Sequence, residues 1–282
     1  MSKPRPAIPS EMKRNIRARA GCGCVVCGKP IYEYHHINGF DELVGHIESE
    51  ITLLCDGCHR KERNGLITRD YVIKCDERPF NHQQGHSTPD RVWYSDRPAT
   101  VILDSCRAVC APGARTTVLM LDGFPVLWLK EEAGQWLLNL NLMDPTHQPY
   151  VTIRDNELSY AITGLDVEYV GGRLTLRAGG EILFRCEFAP PQLLVTHGDF
   201  WFNGICVRVA PGGGILALPS GNRLQGGVIA WCSVAVAIGW TPPGTGGGFA
   251  FGAKKRLLPT ASGELREVEE SSLIIEERRF EW

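Results

Sequence analysis

The chain has 282 residues, 43% of them hydrophobic and 22% charged, with a formal net charge of -2. Those figures describe an ordinary globular protein of about two domains and exclude a globally polycationic binder of nucleic acid. The charge is nonetheless uneven: residues 1–30 carry Lys3, Arg5, Lys13, Arg14, Arg17, Arg19 and Lys29 against Glu11 alone, and the segment after Gly263 carries seven glutamates against three arginines. Such asymmetry suits either a polyanion-facing end or a solvated helix face.

In chain order, "MSKPRPAIPSEMKRN" has no apolar run behind its basic residues, so no export signal is expected. "SEMKRNIRARAG" (Ser10 to Gly21) has a capping serine, good helix formers and a terminal glycine, which predicts a short basic helix. "PIYEYHHI" alternates as a strand does, "EITLLCDGC" reads as a strand running into a cysteine knuckle, and "HRKERNG" reads as a helical turn or two ended by glycine. Residues 76–98 are polar and contain prolines without a clear period, which predicts a linker.

Beyond Pro98 the pattern shifts to runs of period two. "WLLNLNL", "LDVEYV", "RLTLR" and "EILFRCEF" alternate, and Gly-Gly pairs interrupt them, which predicts antiparallel hairpins. In "LDVEYV" the alternation turns Leu165, Val167 and Tyr169 inward and leaves Asp166 and Glu168 outside. The longest apolar run, Val228 to Trp240, falls short of the roughly 20 residues that a membrane helix needs, and reads as one or two buried strands. "GTGGGFAFGAKK" matches no nucleotide-binding pattern and reads as a flexible loop; "DFWFNG" reads as buried core strand. The fold class expected is α+β: a small metal-braced domain over residues 1–75, a linker over 76–98 and a mostly antiparallel β domain over 99–282.

Eleven cysteines without an export signal point to a reducing cytoplasm and to metal binding rather than disulfides. Cys24 and Cys27 form one C-x-x-C pair, Cys55 and Cys58 another, with 27 residues between. Two such knuckles complete a tetrahedral site, and four thiolates with no open position indicate structural Zn²⁺. Cys22 is a candidate alternate ligand. Between and beside the pairs lie three histidines, His35, His36 and His59.

"CVVC", "YHHI" and "ITLLCDGCH", at these intervals, resemble the HNH, or ββα-metal, endonucleases in their zinc-bound four-cysteine form. The resemblance covers about Arg14 to Leu66. Fourteen positions separate His36 from Glu50 and nine separate Glu50 from His59, similar to that family's histidine–asparagine–histidine spacing. The resemblance implies phosphodiester hydrolysis on DNA, expected to be double-stranded, with His36 as general base and His35 and His59 holding a catalytic Mg²⁺ or Mn²⁺. Glu50 stands where the family has its central asparagine and is expected to orient His36 or to join the metal shell. The further histidine some relatives carry on the helix is Arg63 here, and Asn64 and Asp41 are supplementary ligand candidates. His46 has no motif position and no expected role. Arg14, Arg17, Arg19, Lys29, Arg60, Lys61 and Arg63 are candidate phosphate contacts.

The β domain matches nothing familiar and is expected to target, sense or assemble, through a protein partner or self-association. By analogy, host defence or a mobile element is a fitting setting for such a nuclease. The competing reading is a zinc-ribbon module that binds DNA without cutting it. Glu50 is the residue that favours it.

Overall fold

The structure is a computed structural model and describes residues 6–41, 44–243, 245 and 247–269. Lys3, Arg5 and the acidic segment past Glu269 lie outside the described residues. The protein is mostly β, with a small N-terminal α/β region holding four clustered cysteines. It divides into two compact units: Met1–Asp90 with Ser159–Glu181, and Arg91–Leu158 with Ile182–Trp282. Among the described residues no helix is long and apolar enough to cross a membrane.

The first unit contains α1 (Ser10–Ala20), β1 (Glu33–His36), β2 (Ile51–Leu54), α2 (Asp56–Arg63), α3 (Arg69–Glu77) and α4 (Phe80–Gln84). Gly21 ends α1 as expected, at φ +69°, a conformation that costs glycine nothing. At the other end Pro9 takes the cap position and Ser10 is already helical. β1 and β2 pair antiparallel, with His35 opposite Thr52 and His36 opposite Ile51. All four residues of β2 are buried. Ile51, Leu53 and Leu54 join Ile16 and Ala20 of α1, Val25 and Val72 in one core that also contains Cys24, Cys55 and Cys58. Each large apolar side chain in it contributes about 1.5–3 kcal/mol by leaving water.

Residues 76–98, expected to be a linker, hold the end of α3 and all of α4. The Phe80 amide donates to the Val25 carbonyl of the first cysteine knuckle at 3.1 Å, and Asn81 Nδ2 to the Gly21 carbonyl at the end of α1 at 2.9 Å. The Pro79 that suggested a loop sits at the cap of α4, where a missing amide proton breaks no helical bond.

Strands Asp166–Val170 and Arg173–Ala178 return from far along the chain to the first unit. Their turn is Gly171–Gly172, both at positive φ, as a two-residue hairpin turn requires. Val167 and Tyr169 point inward as the alternation predicts. Asp166 and Glu168, expected to face solvent, instead receive Arg17 of α1. Arg17 is 3% exposed, and its guanidinium holds Asp166 through two bonds of 2.6 and 2.8 Å, with Glu168 at 3.2 Å. Arg177 bridges the same two carboxylates at 3.4 and 3.2 Å. Arg17 is therefore a structural clamp rather than a phosphate contact.

In the second unit one run of neighbouring strands is Gly247–Phe251, Val234–Ile238, Arg115–Leu121, Phe124–Glu132, Gln135–Met143 and Pro149–Arg154. Another is Gln192–Phe202, Ile205–Ala210, Gly214–Leu218 and Arg223–Leu224. Pairing is mostly antiparallel. Val234–Ile238, however, runs parallel to both of its neighbours, and Thr100–Leu103 runs parallel to Gln192–Phe202. The apolar run from Val228 makes two strands, broken at Trp231, which adopts φ +56°. The glycine-rich stretch expected to be a loop contains the strand Gly247–Phe251. A Cβ on Gly248 would stand 2.0 Å from the Ala235 carbonyl oxygen, so glycine lets two backbones close up there. Phe200 and Trp201 of "DFWFNG" are 0% and 9% exposed, in keeping with core strand. The fully buried Arg256 meets Asp122 at 3.0 Å, and Asp122 also accepts from Asn203 Nδ2 and the Trp240 amide.

Removing the Arg17 guanidinium leaves two partly buried carboxylates with Arg177 alone. Arg17→Ala is expected to lower stability by about 3 kcal/mol, the low end for a broken buried pair. Urea unfolding measures it, and an unchanged midpoint contradicts the clamp.

Candidate functional site

The site is assembled from two local structures that the sequence dictates. After β2 the chain turns into α2 at Cys55, which occupies the cap position. Its sulfur accepts from the Cys58 amide at 3.4 Å and its carbonyl from the His59 amide at 2.8 Å. A sulfur at a helix start is where partial positive charge favours a thiolate. The other knuckle is closed by the Cys24 amide donating to the Lys29 carbonyl at 2.9 Å and the Gly28 amide to the Cys24 carbonyl at 2.7 Å. These two turns bring the sulfurs of Cys24, Cys27, Cys55 and Cys58 within 4.8 Å of one another.

The spacing suits a tetrahedral ion. Cys27 Sγ stands 3.5 Å from Cys55 Sγ and 3.7 Å from Cys58 Sγ. Sulfurs about 2.3 Å from a tetrahedral Zn²⁺ lie ~3.8 Å apart. Sulfur contacts with Cys24 and Cys27 hold the Cys55 thiol far below the ordinary range. The Cys24 thiol is pushed up, chiefly by its bond to Cys27, and burial pushes Cys58 up to about 12. Metal uptake must therefore expel protons. Cys22 is outside this cluster; its sulfur contacts the Leu165 carbonyl and accepts from the Val167 amide.

β1 and α2 carry the histidines. Neighbouring residues of a strand face opposite ways, so His35 and His36 diverge. His35, 9% exposed, faces α2, where the imidazole of His59 lies edge-on with ring centroids 4.9 Å apart. Two carboxylates not singled out from the sequence flank this pair. Glu33, two residues before His35 on the strand, bonds His59 Nδ1 at 3.1 Å. Glu62, one turn beyond His59, places Oε2 4.0 Å from His35 Nε2. Periods of two and of three to four could have suggested both, given the strand and the helix. Burial lowers the pKa of His35, which keeps its imidazole neutral and able to donate a lone pair near neutral pH.

On the opposite face, His36 Nε2 lies 3.0 Å from His46 Nδ1, and His46 Nε2 lies 2.9 Å from the Pro6 carbonyl oxygen. Phe40 packs on both rings, with centroids at 5.3 and 5.0 Å. Glu50 ends a 3-10 turn, Glu48–Glu50, and its carbonyl accepts from the Ile37 amide at 2.8 Å. Among the described residues its side chain makes no hydrogen bond or ion pair, so contact with His36 is made by His46 instead. Asn64 caps the C-terminus of α2, and Asp41 pairs with Gly45 across a tight turn.

Of the basic residues expected at phosphates, Arg19 pairs with Asp76 at 3.3 Å and Lys29 with Asp90 at 3.1 Å. Arg60 meets Asp56 one turn away at 2.5 Å. Arg14, Lys61 and Arg63 are exposed, as is Arg69, which bonds Asn38 at 3.5 Å.

The purified protein is expected to carry one Zn²⁺ per chain by elemental analysis. Cys27→Ser should lose the metal and several kcal/mol of stability, because binding free energy is folding free energy at such sites. Full stability without metal contradicts this. Compared with family models, with curated proteins and with solved structures, the chain matches none, so its own geometry carries the functional reading.

Proposed function

We propose that the first unit is a metal-dependent endonuclease that hydrolyses phosphodiester bonds of DNA. The observation that carries the reading is the convergence of His35 and His59, 4.9 Å apart, while His36 faces the other way from the same strand beside a four-cysteine centre. Hydrolysis needs a base for water and a cation for the charge on phosphate, and these residues supply both halves.

His36 takes a proton from water as the water oxygen bonds to phosphorus. The bond from phosphorus to the leaving ester oxygen breaks, and solvent protonates that oxygen. A bound Mg²⁺ or Mn²⁺ supplies stabilisation of charge on the phosphate and the leaving oxygen. His35 and His59 would hold such a cation, and Glu62 would add a hard oxygen to the two nitrogens. That mixed donor set favours Mn²⁺ over Mg²⁺. Glu33 fixes the ring of His59 through Nδ1, so Nε2 is the nitrogen that would ligate. Glu50 steadies the base from behind, through its carbonyl bond to Ile37, in the role an asparagine has in the family the motifs resemble. Arg14, Lys61 and Arg63 neutralise backbone phosphates and read no sequence. The second unit serves targeting, sensing or assembly.

A second reading has one observation in its favour: the carboxylate of Glu50 where an asparagine is expected. It makes the unit a zinc-braced DNA-binding module without cleavage. Plasmid cleavage separates the two. The nuclease reading expects nicking or cutting with Mn²⁺ or Mg²⁺, none with EDTA, and a loss of about 10²–10⁴-fold in His36→Ala with DNA binding retained. Binding without cleavage under either metal establishes the second reading.

A further inference from the structure

We infer that His46 is a positioning residue for His36, fixing which ring nitrogen of His36 carries the proton. The inference rests on the nuclease reading for its catalytic meaning, though its geometry does not. The Pro6 carbonyl is an acceptor only, so the His46 nitrogen 2.9 Å from it, Nε2, must be the donor. In a neutral His46 the other nitrogen, Nδ1, is then an acceptor. The His36 nitrogen 3.0 Å from that acceptor, Nε2, must in turn carry a proton. A neutral His36 therefore has its lone pair on Nδ1, and that atom is the base. One backbone carbonyl sets the tautomers of both imidazoles through the chain Pro6 C=O, His46, His36.

The same contacts fix the rings in space. Phe40 lies edge-on to His36 at 5.3 Å and against His46 at 5.0 Å, so the three rings pack together. His46 follows the tight turn closed by the Gly45 amide on the Asp41 carbonyl, at 2.8 Å. In a catalytic pair of this kind the orienting group stabilises the cation that forms when the base takes a proton. Here the orienting group is the His46 imidazole, held 3.0 Å from His36 Nε2. This arrangement leaves the Glu50 side chain no orienting task, consistent with its backbone-only contact.

The test uses the full zinc-loaded chain labelled with ¹⁵N. A scalar coupling between His36 Nε2 and His46 Nδ1, transmitted through the shared proton, is the expected signature. Its absence overturns the proposal whatever the activity. In cleavage assays His46→Ala is expected to lower kcat by about tenfold to a hundredfold with KM unchanged. His46→Asn keeps an acceptor near the place of Nδ1 and should recover most of that loss; zinc content checks that both variants are folded. Equal kcat in wild type and His46→Ala, or no recovery in His46→Asn, also overturns it. A coupling present in a wild-type protein that cuts no DNA overturns the nuclease reading, and with it the catalytic role, while leaving the hydrogen-bonded pair in place.

Discussion

Four sulfurs held within 4.8 Å of one another bind two distant turns of the chain into one body, and every feature of the first unit is referred to that point. Cys24 and Cys27 fix the turn that leads into β1, and Cys55 and Cys58 start α2 directly behind β2. A strand and a helix anchored so closely have little freedom to separate, so side chains on their facing surfaces meet. His35 with His59, Glu33 with His59 and Glu62 beside His35 follow from that anchoring. The sulfurs do not act alone. Cys24, Cys55 and Cys58 are embedded in a core with Ile16, Val25, Leu53, Leu54 and Val72, so apolar burial supports a cluster able to bind a metal.

The clamp at Arg17 extends the same logic to a segment far along the chain. A guanidinium that is nearly inaccessible is costly unless its donors are used, and Asp166, Glu168 and Tyr34 use them. Tyr160 and Tyr32 add bonds to the Cys22 and Val167 carbonyls at 2.6 and 3.1 Å. The cysteine region is thus braced by hairpin Asp166–Ala178 as well as by its own helices. A residue that seemed suited to phosphate is spent on architecture, and the positive surface available to a polyanion is correspondingly narrower.

Much of this was legible in the sequence where the determining forces are local. C-x-x-C spacing, the glycine after α1, the alternation of "LDVEYV" and the Gly-Gly turn each reflect short-range geometry, and each element lies where that geometry puts it. Long-range pairing was not legible. Nothing near Asp166 announces that its partner is Arg17, 149 positions away. Residues 76–98 resemble a linker because they are polar, contain prolines and lack a clear period, yet Pro79 stands at a helix start, where it is compatible with α4. The glycine-rich stretch at 244–255 reads as a loop because it matches no nucleotide-binding pattern, yet at Gly248 close backbone approach requires glycine within a strand. At the site, the spacing singled out His35, His36 and His59 but not His46, Glu33 or Glu62. Those three are defined by a loop closure and by the facing of two elements, which spacing alone does not encode.

The central claim is that the sulfur centre holds β1 and α2 so that His35 and His59 form a single cation site. Its most direct measurement is paramagnetic broadening by Mn²⁺ of assigned histidine signals, in zinc-loaded protein and in zinc-stripped Cys27→Ser. With zinc in place, His35 and His59 are predicted to broaden together at the lowest Mn²⁺ additions, before the other histidines. In the stripped variant that selective pair should vanish. Joint broadening that survives loss of zinc, or no preference for these two histidines in the zinc-loaded protein, contradicts the account.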